Sequence, residues 1–148
     1  MSVNEISDNN NVARYCRSSD ISPIDGRIMP TAFHLRIDDS YLSVNWMEFF
    51  GKGNFLEAIR EIQNIFARKK FGVGASAKFA VLNVGTAKRS VTEQTRNRNR
   101  IFAAHEPVDD DPSHAGIFGI NQDNYQIIAD ILAECVEKPT YPARPPAE

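Results

Sequence analysis

Two histidines, His105 and His114, bracket a short stretch that carries four carboxylates, Glu106, Asp109, Asp110 and Asp111. Imidazole beside carboxylate is a pairing that both acid–base catalysis and divalent-metal binding use. If the flanking segments pair as strands, both rings come towards one acidic loop. His105, His114, Asp109 and Asp111 are therefore the candidate catalytic residues. The spacing matches no zinc signature, and no cysteine pair accompanies it, so no metal is expected. The competing role is structural, with the histidines hydrogen-bonded at strand ends and the aspartates solvating a hairpin tip. The weak motif favours that structural role.

Other chemistry has less support. The chain contains no Gly-x-Ser-x-Gly elbow. Cys16 lies between Tyr15 and Arg17, where a cation could stabilise a thiolate, but an inert core thiol fits the apolar surroundings better. Val84-Gly85-Thr86-Ala87-Lys88-Arg89 has the order of strand, glycine and basic helix start that suits a phosphate, without the spacing of a P-loop. The stretch Gly72-Val-Gly-Ala-Ser precedes a strand instead of following one. No cofactor is expected.

Charge is the second source of candidates. Residues 68–100 hold nine Lys or Arg and one acid, a balance of +8, and residues 101–137 hold eight acids and no Lys or Arg, a balance of −8. These segments either face each other or form opposite poles. Lys88, Arg89, Arg96, Arg98 and Arg100 are the candidate binding residues, because phosphate neutralisation needs cations on one accessible surface. No aromatic residue interleaves the run, so local base stacking is not expected. Pro142-Ala-Arg-Pro145 forms a minimal PxxP in the tail.

The elements that must position these residues follow from periodicity. Val12–Arg17 reads as a strand. Thr31–Ile37 and Leu42–Trp46 alternate around Asp38-Asp39-Ser40 and predict a hairpin. Asn54 caps a helix whose Phe55, Leu56, Ile59, Ile62, Ile65 and Phe66 recur at three- and four-residue spacing, with Lys69 and Lys70 at its end. Phe79–Val84 is nearly all apolar and predicts a strand covered on both faces. Residues 86–100 read as a short solvated helix or a mobile loop. Ile101–His105 and His114–Ile120 are two further strands. A second strong helix follows Asn121, with Ile127, Ile128, Ile131, Leu132, Cys135 and Val136 as its stripe. This order predicts an α+β fold, a mostly antiparallel sheet with two main helices packed on one face.

The expected organisation is a disordered 1–11, a single domain over 12–138 and a flexible proline-rich tail over 139–148. At 148 residues with 42% apolar and 24% charged residues, the chain can bury a substantial core. No apolar run spans a bilayer, the N-terminus does not read as a signal peptide, and two distant cysteines do not make a disulfide framework. The cytoplasm is the expected compartment.

The early arginines, Asp25-Gly26, Ala32-Phe33, Leu42-Ser43-Val44 and Pro112-Ser113-His114-Ala115 resemble a loose set of small bacterial proteins without established chemistry. The resemblance covers about residues 12–137. It implies a bacterial origin and a compact α/β fold, and it transfers no catalytic residue. The favoured function is a non-enzymatic interaction or accessory protein, of the immunity type for example, that binds another protein through charged surfaces. A nucleic-acid-binding module on 88–100 and a small enzyme or metal protein on His105 and His114 are the alternatives. No membrane partner is expected.

Overall fold

The computed structural model describes residues 4–69 and 72–146. Residues 1–3, 70–71 and 147–148 lie outside the described residues. One antiparallel sheet of six strands organises the chain: β1 Asn11–Cys16, β2 Leu42–Trp46, β3 Lys78–Asn83, β4 Phe102–His105, β5 His114–Phe118 and β6 Tyr141–Pro142, in the spatial order β4-β5-β2-β1-β3-β6. Among the described residues three α-helices accompany it, α1 Phe55–Arg68, α2 Val84–Gln94 and α3 Tyr125–Glu134. The fold is α+β. No helix among the described residues is long and apolar enough to cross a membrane.

The helices are divided between the two faces of the sheet, whereas the sequence predicts both long ones on the same face. The reason lies in β3, where Phe79, Ala80, Val81 and Leu82 are all fully buried. Alternate residues of a strand point to opposite faces, so such a run requires a cover on each side. Phe79 and Val81 pack with Ile59, Ile62, Ile65 and Phe66 of α1. Ala80 and Leu82 pack with Val91 of α2 and with Ile128, Ile131 and Leu132 of α3. Full burial of each such aliphatic side chain contributes roughly 1.5–3 kcal/mol. Asn54 caps α1 as expected, its Oδ1 accepting from the Glu57 amide at 2.9 Å.

The predicted hairpin over 31–46 does not form. Pro30 opens a 3-10 turn over Pro30–Phe33, where its fixed φ suits a helical start and its missing N–H removes a ladder donor. Phe33 and Leu35 still reach the core, and Ile37 is left 79% exposed. β2 instead pairs with β1 and β5, which lie far from it in the chain.

Both ends expected to be disordered make specific contacts with the sheet, although several of their residues are exposed. Ile6 is 1% exposed, its amide donates to the Ala103 carbonyl at 2.8 Å, and the His105 amide donates to the Asn4 carbonyl. The N-terminal segment thus covers the free edge of β4. At the opposite edge β6 pairs with β3, a position that tolerates proline. The Pro142 carbonyl accepts from Gln63 Nε2 at 2.7 Å, Ala143 is fully buried, and Arg144 Nε donates to the Val73 carbonyl. The PxxP segment is therefore held against the body of the protein.

Candidate functional site

Strand pairing separates the two histidines. His105 lies opposite Ala115, so His114, one residue earlier on β5, projects from the other face. A carbonyl oxygen only accepts, which fixes one N–H on each ring. His105 Nε2 donates to the Pro112 carbonyl at 2.7 Å, and His114 Nδ1 donates to the Glu106 carbonyl at 2.8 Å. The His105 ring lies against Trp46 and Phe49, and the His114 ring against Tyr41. The expectation that pairing brings the rings together fails because the strand period of two sends neighbouring register positions to opposite sides. No group of three or more His, Cys, Asp or Glu that could hold a metal occurs among the described residues.

The aspartates also part company. Asp109 and Asp110 are exposed at the hairpin tip, whereas Asp111 is completely buried. Asn45 Nδ2 donates to both Asp111 oxygens at 3.0 and 2.8 Å, Ser113 Oγ donates at 3.0 Å, and Lys69 Nζ at 3.0 Å. Lys69 also sits 4.1 Å above the Phe66 ring. The cluster joins the end of α1, β2 and the β4–β5 hairpin. Its carboxylate is saturated with donors and closed to solvent, so Asp111 holds structure together instead of meeting a substrate. Sequence reasoning missed Asn45, Ser113 and Lys69 as its partners. The one signal was a polar Asn45 on a strand otherwise able to bury that position.

The remaining nucleophile is equally internal. Cys16 is fully buried, its thiol donates to the Arg14 carbonyl, and burial pushes its pKa up to about 12. Arg14 itself is partly buried, with Nε donating to the Ala32 carbonyl and Nη1 to the Ser43 carbonyl, both at 2.8 Å. That arginine staples β1 to the segment that replaces the expected strand.

The glycine in the first turn of α2 has its amide already engaged within the chain. The Val84 amide donates to the Asn10 carbonyl, the Gly85 amide to the Asp8 carbonyl and the Thr86 amide to Asn83 Oδ1, each at 2.9 Å. A side chain at Gly85 would meet Asp8 at 2.9 Å. The chain's own N-terminal segment therefore occupies the helix start. Lys88 serves the same contact, with Nζ 2.7 Å from Asp8 and 3.5 Å from Glu5, and the Asp8 hydrogen bond raises its pKa.

The other basic candidates are arranged differently. Residues 84–94 form α2, with Val84, Ala87 and Val91 buried. The following turn is built rather than mobile: Thr95 Oγ1 donates to the Val91 carbonyl and accepts from the Asn99 amide, both at 2.7 Å, and Thr92 Oγ1 donates to the Asn99 carbonyl. Arg98 occupies the left-handed region at φ 49°. Arg89, Arg96, Arg98 and Arg100 are exposed, and none of them pairs with a carboxylate among the described residues. The two charged segments meet through Lys69 and Asp111. Arg100 and Lys88 line an open cleft of about 380 Å³ together with Phe102. An aromatic ring therefore does stand beside the basic run, contributed by β4 just beyond it. No protein-family model, no curated protein and no solved structure matches this chain.

Proposed function

We propose that this chain is a non-enzymatic binding protein that holds another macromolecule on the arginine-bearing turn between α2 and β4. The observation that carries this reading is the contrast among the cations. Lys69 and Lys88 are engaged internally, whereas Arg89, Arg96, Arg98 and Arg100 stay exposed on a hydrogen-bonded scaffold with no acidic partner among the described residues. Guanidinium groups left open on a rigid turn suit a partner with an anionic surface, because each presents a planar fork to carboxylate or phosphate. Both cysteines are free thiols, which accords with a cytoplasmic setting, and the resemblance to small bacterial proteins accords with a bacterial accessory role.

Retention on immobilised heparin, a generic polyanion, tests the reading. The net charge of −2 gives no reason for retention as a whole, so binding at low salt reports a local cationic face. Arg96→Ala, Arg98→Ala and Arg100→Ala combined should abolish it with the melting temperature nearly unchanged. Passage of the wild-type protein through the column at low salt would defeat the proposal.

A further inference from the structure

Two clefts flank the turn over residues 95–100. On one side Phe102, Arg100, Lys88, Thr92, Ile101 and Glu5 line the opening of about 380 Å³. The Phe102 ring is stacked on Phe118 at 5.2 Å with 11° between planes, and the residue is 37% exposed. Its plane is thus fixed while part of its surface stays open. On the other side lies a cleft of about 520 Å³ whose lining includes Gln94, Arg96, Asn97, Asn99, Asn121 and Ile127. The Asn121 side-chain Oδ1 accepts from the backbone amides of Asp123 and Asn124. The side-chain amides of Gln94 and Asn97 make no hydrogen bond among the described residues and offer donors and acceptors. Ile127 is 47% exposed. Arg98, exposed on the turn, adopts a conformation that glycine or asparagine takes more readily.

We infer that the partner held on this turn is single-stranded nucleic acid, an inference that rests on the binding reading above. The end of α2, the turn and the start of β4 carry three groups that such a strand requires: arginines for phosphates, a stacked aromatic ring for a base in one cleft, and free amides for base edges in the other. An acidic protein face would use the arginines and leave the ring and the amides without a purpose. A duplex keeps its bases stacked and out of reach of Phe102, and the turn offers no helix free to enter a groove. Base–aromatic stacking tolerates sequence, so weak sequence preference is expected. Glu5 and Asp8 neutralise Lys88, which leaves the phosphate contacts of the turn to Arg96, Arg98 and Arg100, with Arg89 exposed beside them on α2.

Fluorescence anisotropy with labelled single-stranded DNA and RNA oligonucleotides, and with the matching duplex, tests this on the full chain. Single strands should bind more tightly than the duplex. Arg96→Ala, Arg98→Ala and Arg100→Ala together should flatten the log–log salt slope for a single strand by about 2, at roughly 0.7 per contact. Phe102→Leu should weaken single-strand binding by roughly tenfold, the equivalent of about one lost stack, and leave heparin retention as it was. Phe102→Trp keeps a ring and should preserve binding, which separates loss of stacking from loss of fold. Heparin retention without oligonucleotide binding overturns the inference and leaves an acidic protein as partner. Equal affinity for strand and duplex, with no effect of Phe102→Leu, also overturns it. Failure on heparin as well removes the binding reading itself.

Discussion

The acidic hairpin between β4 and β5 and the arginine turn between α2 and β4 are both strongly charged, and they use charge in opposite ways. The hairpin turns its central carboxylate inward. Asp111 is saturated by Asn45, Ser113 and Lys69, and each flanking histidine donates to a backbone carbonyl. The turn satisfies its backbone through Thr92 and Thr95 and points its arginines to solvent. A group whose hydrogen-bonding capacity is filled by its own protein has little left for a ligand. The difference locates structure in the hairpin and binding capacity in the turn.

The largest expected effect tests the structural half of that contrast. Asp111→Ala leaves Lys69 without its buried counter-ion and removes three further acceptor contacts, so it should cost about 3–5 kcal/mol. Lys69→Met keeps the Asn45 and Ser113 donors on Asp111 and should cost about 1–3 kcal/mol. Urea titration of both variants checks the order. An Asp111 variant as stable as wild type would place this carboxylate outside the framework.

The covering of the β4 edge comes next. Ile6→Ala removes a fully buried side chain from the segment that pairs with β4 and should cost about 2–4 kcal/mol. Protease resistance of a chain lacking residues 4–10 would contradict the packing of the N-terminus.

The histidines should show smaller changes. Each replacement of His105 or His114 by Ala removes one hydrogen bond to a backbone carbonyl and some ring packing, about 1 kcal/mol for the bond. Zinc or manganese should leave the melting temperature where it was. A metal-dependent rise that vanished in the double variant would reinstate the hairpin as a metal site.

Cysteine reactivity follows from burial. Cys16, pushed up to about 12, should resist a thiol reagent near neutrality, while the half-buried Cys135 reacts. The neutral thiol is the form the fold favours. Its contribution to stability is therefore complete below its ordinary value of 9.0 and is lost as pH rises towards about 12. Replacing Cys16 by Ala should remove that alkaline component from the stability profile.

The arginine turn should be the least sensitive to mutation. The triple change at Arg96, Arg98 and Arg100 should alter stability by no more than about 0.5 kcal/mol, and Arg98→Gly alone should be neutral or stabilising by up to about 1 kcal/mol, since glycine adopts positive φ freely. A large loss of stability in either would move these residues to the structural side.

Periodicity by itself determined α1 with its Asn54 cap, the apolar β3, the strands β1, β2, β4 and β5, and the stripe of α3, because spacing along the chain encodes which face of an element is apolar; Leu56 and Ile127, read as part of the α1 and α3 stripes, lie at their margins and stay exposed. It also located the unequal distribution of charge. Three decisions belonged to the tertiary structure. Alternation around residues 31–37 looked like a strand until Pro30 opened a turn and β2 found its partners in β1 and β5. The ends looked too polar to order, yet a single buried Ile6 and unpaired strand edges held them in place. Asp111 and its partner Asn45 are 66 residues apart, and Lys88 and Asp8 are 80 apart. Which charges are neutralised and which remain open depends on such distant neighbours, and pairing across a sheet is set by the packing of whole elements, not by any local pattern.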